Sequence, residues 1–484
     1  MDKITGGRRD ERWPRFSHQV ECNCRFGGKA ALPALNPRFA LPPPLYRKDD
    51  GVTCVRVWTE RPLTEVRLFE FTDLSPTRDR DPDPTALEGI SPGWRVLVGR
   101  DRRPIGIRLT LDCDGANAAA PPLSELLDGV LAGLTSESDG RSTFPHGLIV
   151  LSPRNLDVDP AMSSWRAPRN VLLEFGQDDL DDEDRLRRMF EIEKQGVRIA
   201  LRLDQPSAPP PERLSYFQYL VAPSRHSLPP GIDPRNVSIL TLADSTHQDI
   251  DAGFASGVHA TAGWPLVALP RAEPLGLSPA QTAVFELIRL VQADAEVRAL
   301  ERVFKGEPLL AYLLLTLANS AAFRRPTPVS SLGHAISLLG YQRLIKWLVL
   351  LLAIAGKNQG TAPLIHVAVV RGQLLENLCA AAGRPRLQRD EGFIVGTFSL
   401  LDAITGQPLR DLLQDIHLSG PIADALLGAV GPYAPLLEIA RGFEAADPRA
   451  LGRIKTELNV DPADVHRALL HALATADSLQ SLIR

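Results

Sequence analysis

The sequence predicts two folded regions in series, an α/β region followed by an all-α region. Between about residues 94 and 270, short runs rich in Val, Ile and Leu alternate with helix-like stretches, a pattern that favours a largely parallel sheet. After Pro274 the strand signals stop and apolar residues recur at spacings of three and four, as on one face of a helix. A chain of 484 residues has room for two or three domains.

Eight strand signals follow one another in the α/β region, each bounded by Pro, Gly, Asp or Asn. Eight mostly parallel strands favour a closed (β/α) barrel, and because about 177 residues is short for a barrel of typically ~250, we expect several outer helices to be reduced or missing. The eight runs are Trp94 to Val98, Ile105 to Leu111, Gly147 to Leu151, Asn170 to Phe175, Val197 to Leu203, Phe217 to Ala222, Val237 to Leu242, and Val258 with Pro265 to Leu269.

The residues before the barrel predict a tail and a small appendage. Residues 1–50 mix Arg, Pro and Gly without an apolar period, which is typical of a disordered or loosely packed segment. Cys22 and Cys24 lie in this tail, and since no second Cys or His pair is nearby we expect no metal there. Two strand-like runs, Val52 to Thr59 and Glu65 to Phe71, predict a β appendage, so the barrel domain is expected over residues 51–271.

The all-α domain is expected over residues 275–484. It begins with Ser278-Pro279-Ala280-Gln281, a capping box whose Ser and Gln side chains satisfy the first free backbone N–H groups of a helix. The stretch Pro270 to Pro274 separates the strand pattern from the helix pattern, as a domain boundary does. We therefore expect residues 275–484 to fold alone.

Composition and charge exclude several classes of protein. The 54 Lys+Arg residues against 58 Asp+Glu give a net charge of -4, which argues against a generally basic nucleic-acid binder. Five scattered cysteines argue against a disulfide framework, and no secretory signal follows the charged N-terminus. The most apolar runs, Pro308 to Phe323 and Trp347 to Ala355, are interrupted or too short to span a bilayer. The expectation is a cytoplasmic protein with no membrane or nucleic-acid partner.

Three segments of the helical domain form a distinctive pattern, and they are Leu309 to Phe323 (LLAYLLLTLANSAAF), Pro328 to Trp347 (containing PVSSL and AISLLGYQRLIKW) and Gly396 to Asp402 (GTFSLLD). In their order and spacing they resemble the HDOD family of bacterial signalling domains. HDOD domains are similar in fold to HD-type metal phosphohydrolases, whose His-Asp pair falls here on Ser399 and Leu400. The resemblance therefore implies no hydrolase metal site, and His366, near the place of a first metal His, is expected to be a capping or core residue.

The α/β domain opens with two strand-like runs in Trp94 to Leu111 (WRVLVGRDRRPIGIRLTL). This segment resembles the opening hairpin and signature strand of the EAL family of cyclic-di-GMP phosphodiesterases, which are barrels that use metal ions to activate water against a phosphodiester. The signature Glu falls on Arg108, and the family's Asp-Asp pair falls on Arg202 and Leu203. A metal-binding carboxylate is thus replaced by a cation in both places.

Two further catalytic positions of the EAL family are replaced in this sequence, and one is matched. The family's Asn falls near Val150 and its general-base Lys near Val221, whereas Glu174, in VLLEFG, matches a catalytic carboxylate. Because one carboxylate cannot hold two divalent cations, the resemblance implies a degenerate EAL-like barrel without metal or other cofactor. The fold class is then a degenerate EAL-like (β/α) barrel followed by a helical HDOD (HD-like) domain.

Two interpretations of the barrel mouth stay open. In the first, Glu174 is a structural carboxylate paired with Arg108 or Arg202. In the second, the Arg-rich mouth binds an anion such as a nucleotide without cleaving it, because arginine forks suit phosphates. The sequence accordingly predicts a non-catalytic signalling or scaffold protein that binds a partner protein through its HDOD domain. The alternatives are a cyclic-di-GMP-like nucleotide receptor and, third, an active phosphodiesterase.

One ion pair is expected in the helical domain. Arg371 and Asp402 both lie in strongly apolar stretches, where an unpaired charge costs several kcal/mol. We expect them to pair where a metal hydrolase would hold its ions, the alternative being that each lies on an exposed helical face.

Overall fold

The structure is a computed structural model that describes residues 90–481, apart from 114–120, 139–140, 205–208, 215, 230–231, 233–235, 243–245, 267–278, 320–328, 330, 355–359, 415–419 and 448–459. Four sequence-based expectations lie outside the described residues. They are the tail with Cys22 and Cys24, the β appendage, the boundary at Pro270 to Pro274 and the capping side chain of Ser278.

Eight strands close into a barrel in the α/β region. The strands are β1 (Ile90–Gly99), β2 (Pro104–Cys113), β3 (Ser136–Ser138), β4 (Arg141–Thr143), β5 (Leu148–Arg154), β6 (Val171–Phe175), β7 (Arg198–Arg202), β8 (Tyr219–Ala222), β9 (Ser238–Leu242) and β10 (Ala260–Ala262). Around the barrel they run β1-β10-β9-β8-β7-β6-β5-β2, whereas β3 and β4 form a separate two-stranded sheet. β1 is antiparallel to β2 and β10, and the other neighbours in the barrel are parallel.

The predicted barrel is confirmed, with one strand misplaced. The last strand is Ala260–Ala262, and residues 265–266 of the predicted run are not in a strand, whereas its residues 267–269 lie outside the described residues. Gly263, with φ +115°, turns the chain immediately after Ala262, and Pro265 has no N–H to donate to a strand ladder. Pro265 therefore lies beyond the sheet.

The outer helices are reduced, as the short length of the domain predicts. The connections of the barrel contain α1 (Leu123–Gly133), α2 (Glu183–Lys194), the single-turn α3 (Pro211–Leu214) and α4 (His247–Ala255). In the described residues, β5 and β6 are joined through only a 3-10 turn at Pro160–Ser164, and β8 and β9 through another at Arg225–Ser227.

The alternation of side chains along the strands places polar residues at the mouth of the barrel. A cluster of buried apolar side chains, which includes Val150, Leu172 and Ala200, fills the interior. Because successive side chains point to opposite faces of a strand, the residue two positions further along faces the interior again. Those residues are Ser152, Glu174 and Arg202, close to the carboxyl ends of β5, β6 and β7.

The all-α region follows the barrel. Its helices are α5 (Pro279–Gln292), α6 (Val297–Gly306), α7 (Pro308–Ala318), α8 (Leu332–Ile354), α9 (Ala362–Ala381), α10 (Arg386–Phe398), α11 (Leu401–Thr405), α12 (Leu409–Gln414), α13 (Gly420–Ala423), α14 (Ala434–Ala445) and α15 (Pro462–Ser481). α9 is central, since it contacts α10, α14, α15 and strand β1. α8 is kinked at Gly340, whose φ of +70° and ψ of 158° are not helical.

The barrel and the helical region share an interface built on β1. Trp94, 2% exposed, meets the ring of His366 on α9 edge to face, with the ring centroids 6.2 Å apart. Gly93 lies so close to Ala446, after α14, that a Cβ on it would be 2.5 Å from the Ala446 Cβ. Asp477 of α15 accepts a hydrogen bond from the backbone N–H of His146 at 2.9 Å. His366 is thus a buried core residue, one of the two roles expected for it.

α9 passes a length and composition test for a membrane-spanning helix. It has 20 residues and a mean hydropathy of 1.2 over its best 18-residue window, and 78% of that window is buried inside the protein. Among the described helices α9 alone passes. Burial of this extent is typical of the central helix of a protein core.

The close approach of β2 to β5 generates a stability prediction. A Cβ at Gly106 would lie 1.8 Å from the carbonyl oxygen of Leu148, so Gly106→Ala must push two paired strands apart. We expect it to lower the free energy of unfolding by about 3 kcal/mol, measured by urea unfolding followed by circular dichroism.

Gly253→Ala in α4 is the matched control. Its Cβ would meet Val258 at an ordinary 3.6 Å, and alanine favours the helix by up to ~1 kcal/mol. Equal unfolding midpoints for the two variants would show that β2 and β5 do not approach this closely.

Candidate functional site at the barrel mouth

Four neighbouring strands bring polar side chains together inside the mouth of the barrel. Arg108 comes from β2, Ser152 from β5, Glu174 from β6 and Arg202 from the end of β7. These four residues are named the mouth cluster. All are buried, from 0% exposed for Ser152 and Glu174 to 8% for Arg202, so each charge needs a partner within the protein.

Glu174 is the centre of the mouth cluster. Arg108 binds it with two parallel hydrogen bonds, from Nε to Oε2 at 2.8 Å and from Nη2 to Oε1 at 2.7 Å. Arg202 donates from Nη1 to Oε1 at 3.1 Å, and the Ser152 hydroxyl donates to the same oxygen at 2.9 Å. A bidentate guanidinium and carboxylate pair is the strongest form of such an interaction. Both predicted partners of Glu174 therefore bind it at once.

A second set of contacts holds the two guanidinium groups in place. Arg108 also donates to the hydroxyl oxygens of Thr110 and Ser152, at 3.1 and 2.9 Å. Arg202 donates from Nε to Oδ2 of Asp204 at 2.6 Å. The sequence interpretation missed Ser152, Thr110 and Asp204, since single polar residues in or beside a strand carry no distinctive pattern. The structure thus shows a satisfied network rather than one isolated ion pair.

The ionisation of Glu174 follows from these contacts. Burial raises the pKa of a carboxyl group, but the charge and hydrogen bonds of Arg108, followed by the charge of Arg202, outweigh it and lower the pKa of Glu174 to about 2. Glu174 is therefore an anion at neutral pH, and it is not suited to act as a proton donor or acceptor.

Arg154, the last residue of β5, adds a further positive charge beside the mouth cluster. Burial, followed by the charges of Arg202 and Arg108, lowers the pKa of Arg154. Its Nε is buried and has no hydrogen-bond partner among the described residues. An anion would satisfy this group.

The residues of the mouth do not fit a divalent metal ion. Hydrogen-bond donors occupy both oxygens of Glu174, whereas Mg²⁺ and Ca²⁺ need several oxygen ligands. Val150 and Val221 belong to the apolar interior of the barrel and offer no ligand atom. Within the part of the chain that the structure describes, no three His, Cys, Asp or Glu residues are grouped as metal ligands.

The predicted ion pair between Arg371 and Asp402 is wrong. Arg371, 3% exposed, donates from Nε and Nη2 to the two carboxylate oxygens of Glu444 on α14, at 2.6 and 2.7 Å. Asp402 is exposed in the first turn of α11, where it accepts a hydrogen bond from the backbone N–H of Ala403. The short α11 turns Asp402 toward solvent, while α14 packs directly on α9.

A helical pattern could have identified Glu444. Leu437, Ala440 and Glu444 are separated by three and four residues, so they share one face of α14, and the first two are buried. Arg371 also donates from Nη1 to the hydroxyl of Ser399 at 2.9 Å. A guanidinium group therefore contacts the position on which the family's metal-binding His falls.

The described residues form a closed eight-stranded barrel followed by an all-helical region, an architecture consistent with the EAL-like barrel and helical domain expected from the sequence. Residues 277–384 match the family model described as "HDOD domain", so the chain contains that domain. The chain resembles bacterial two-domain signalling proteins of the EAL and HDOD type.

Two curated relatives match across part of the chain. The cyclic di-GMP phosphodiesterase CdgJ of Vibrio cholerae serotype O1 is 27% identical over 208 residues, which are 43% of this chain and 48% of the relative. The uncharacterized protein YuxH of Bacillus subtilis is 24% identical over 199 residues, 40% of this chain and 48% of the relative. The chain thus spans about half the length of the curated relatives it matches.

Two solved structures also match. The Bacillus subtilis YkuI protein, with an EAL domain, in complex with substrate c-di-GMP and calcium, has a TM-score of 0.27 and 14% identity, covering 54% of this chain and 74% of that one. A putative metal-dependent phosphohydrolase from Shewanella amazonensis has a TM-score of 0.23 and 14% identity, covering 44% and 93%.

The depressed pKa of Glu174 generates a pH prediction. Because the folded-state pKa of about 2 lies below the ordinary 4.5, the unfolded chain takes up this proton first as the pH falls. The stabilisation by Glu174, roughly 3 kcal/mol, is present above pH 4.5 and is lost between about pH 4.5 and 2. Glu174→Gln is expected to flatten the dependence of unfolding free energy on pH in this window. An unchanged curve would show that Glu174 is not held ionised.

A double-mutant cycle tests the ion pair between Arg371 and Glu444. Arg371→Met and Glu444→Leu should each lower the free energy of unfolding by roughly 3 kcal/mol, because each leaves a buried charge alone, and the double variant should recover much of that loss. Asp402→Asn is the control and should stay within about 1 kcal/mol of the wild type. Additive effects in the cycle would contradict the pairing.

Proposed function

We propose that this protein is a non-catalytic component of bacterial signal transduction, connected with cyclic di-GMP, that acts by binding a partner protein through its HDOD domain. The observation that carries the proposal is the occupation of both Glu174 oxygens by Arg108, Arg202 and Ser152. The carboxylate best suited to catalysis is thereby committed to a structural role.

The loss of the carboxylate ligands supports the absence of hydrolysis. Two-metal phosphodiester cleavage needs a cluster of anionic or imidazole ligands that holds the cations and activates water. Arg108 and Arg202 stand at positions where the resembled family has carboxylates, and each repels a cation. The mouth cluster therefore replaces the charge that metal ions would supply, but it offers no site for water activation.

An ion pair in the helical domain also supports a non-catalytic role. There, Arg371 binds Glu444 and Ser399 at the position that corresponds to the metal site of HD-type hydrolases. The positions at which the two resembled families hold metal ions are thus each occupied by an arginine that is paired with a glutamate. This coincidence favours a protein whose two domains have kept their folds for binding.

The surface and the relatives support a binding role within cyclic-di-GMP signalling. Among the described residues, four of the five large hydrophobic side chains that are exposed belong to the helical domain, namely Tyr312, Leu387, Leu427 and Val430. The name of the relative CdgJ assigns cyclic di-GMP phosphodiesterase activity to that protein. A connection with the same signalling nucleotide is therefore proposed for this chain, without the activity.

A second candidate function is a nucleotide receptor. The specific observation in its favour is Arg154, whose buried Nε lacks a partner among the described residues beside the two arginines of the mouth cluster. A phosphate at this point would accept hydrogen bonds that the protein leaves unmade. Such a receptor would bind cyclic di-GMP without cleaving it.

Hydrolysis and titration assays test these functions. The purified 484-residue chain, incubated with cyclic di-GMP and Mg²⁺ or Mn²⁺, should release no linear dinucleotide, because the described residues offer no set of metal ligands. Turnover that Glu174→Ala abolishes would overturn the proposal. Calorimetric titration with cyclic di-GMP separates the two functions. A nucleotide receptor is expected to bind cyclic di-GMP and to lose that binding in Arg154→Gln, whereas a protein that acts only by binding a partner protein is expected not to bind the nucleotide.

A further inference from the structure

A cavity of about 540 Å³ lies in the helical domain around the kink of α8. Its walls are residues 338–343 and Lys346 of α8, together with Arg386 at the start of α10. At Gly340 the positive φ breaks the helix into two segments, and the cavity opens at this break. Its volume lies within the ~300 to 1,000 Å³ typical of small-molecule sites. We name it the α8 cavity.

The charged side chains that line the α8 cavity are all cationic. They are Arg343, Lys346 and Arg386, and no Asp or Glu is among the lining residues. Lys346 forms an ion pair with Glu376, and its Nζ lies 4.9 Å from the centroid of the Phe393 ring. Arg343 and Arg386 are exposed. These two arginines therefore supply the positive charge that faces the open space, whereas the charge of Lys346 is balanced by Glu376.

A neutral side chain holds Arg386 in position. Gln342 accepts hydrogen bonds at its Oε1 from Nε of Arg386 at 3.1 Å and from Nη2 at 2.8 Å. The amide group of Gln342 in turn donates to Asp390, which fixes its orientation. The acceptor is neutral, and no direct ion pair of Arg386 occurs in the described part of the chain, although the charge of Asp390 acts on it from the other side of the Gln342 amide. This arrangement orients the guanidinium group without a direct ion pair.

The two arginines stand at helix N-termini, where a positive charge is electrostatically unfavourable. Arg386 is the first residue of α10, and Arg343 lies in the first turn after the break at Gly340. The helix dipole favours anions at both places and disfavours cations. An anion bound in the α8 cavity would remove this conflict and would also accept hydrogen bonds from the two guanidinium groups.

We propose that the α8 cavity binds a phosphorylated small molecule of mononucleotide size. Arg343 and Arg386 hold the phosphoryl group, because a planar guanidinium fork matches phosphate oxygens. Leu338, Leu339 and Tyr341 line the same space and contact the rest of the ligand. The site lies in the HDOD domain and is independent of the function proposed for the barrel mouth.

Calorimetry on the full-length protein tests the site with four probes: adenosine monophosphate, guanosine monophosphate, inorganic phosphate and uncharged adenosine. We expect at least one monophosphate to bind saturably, to bind more weakly when NaCl is raised from about 50 to 300 mM, and adenosine not to bind. Inorganic phosphate that binds as tightly as the monophosphates would identify the phosphoryl group as the whole determinant.

Two variants and one control variant locate the binding. Arg386→Gln and Arg343→Gln should each weaken the monophosphate by about tenfold or more, since each removes a charge-assisted contact. Arg410→Gln, an exposed arginine in the first turn of α12 that does not line the cavity, should leave binding unchanged. Circular dichroism verifies that the variants are folded.

Three results would overturn the proposal. They are the absence of saturable binding for every phosphate probe, binding that both cavity variants leave unchanged, and binding lost in Arg154→Gln but kept in Arg386→Gln. The last result would show that the monophosphate binds at the barrel mouth and not in the α8 cavity. It therefore distinguishes the α8 cavity from the site of the proposed nucleotide receptor.

Discussion

The charge of one buried carboxylate determines what the barrel can do. Glu174 is fully buried and carries a negative charge, and burying a charge is unfavourable by many kcal/mol unless it is paired and hydrogen-bonded. Arg108 alone would neutralise it, yet Arg202, Ser152 and the contacts behind them complete its coordination. Removing Arg108 would deprive Glu174 of its two shortest charged contacts. The hydrogen bonds that pair the buried charge of Glu174 therefore connect β2, β5, β6 and β7. They lie at the carboxyl end of the strands, which is the end where (β/α) barrels carry out catalysis.

The helical domain solves the same electrostatic problem in the same way. Arg371 is enclosed by α9, α10 and α14 and is neutralised by the bidentate carboxylate of Glu444. Close packing makes this geometry possible, because Gly396 lies so near α9 that a Cβ on it would be 2.5 Å from the carbonyl oxygen of Arg371. In both domains a guanidinium group provides fixed positive charge, and unlike a metal ion it cannot exchange ligands or polarise a bound water.

Periodicity predicts the barrel but not the partners of its charges. The strand runs that contain Glu174 and Arg202 were predictable, because buried parallel strands are short and apolar, and the pairing of Glu174 followed from two arginines in place of two carboxylates. The partner of Arg371 was not predictable from apolar context alone, since Asp402 and Glu444 both lie in apolar stretches. The direction in which the short α11 faces decides between them, and that direction depends on tertiary packing. The α8 cavity was missed for a similar reason, because it depends on how α10 approaches the kink at Gly340.

The two arginine and glutamate sites are connected through one hairpin and one helix. β2 carries Arg108 toward the barrel interior, and the neighbouring Leu109 pairs in register with Trp94 of β1. Trp94 faces outward and packs on His366 of α9, and Arg371 lies five residues further along that helix. Since each step of this path is a packed, buried contact, the barrel acts as a rigid support for α9 rather than as a tethered neighbour. The barrel thereby covers part of the apolar surface of α9, the central helix of the all-α region.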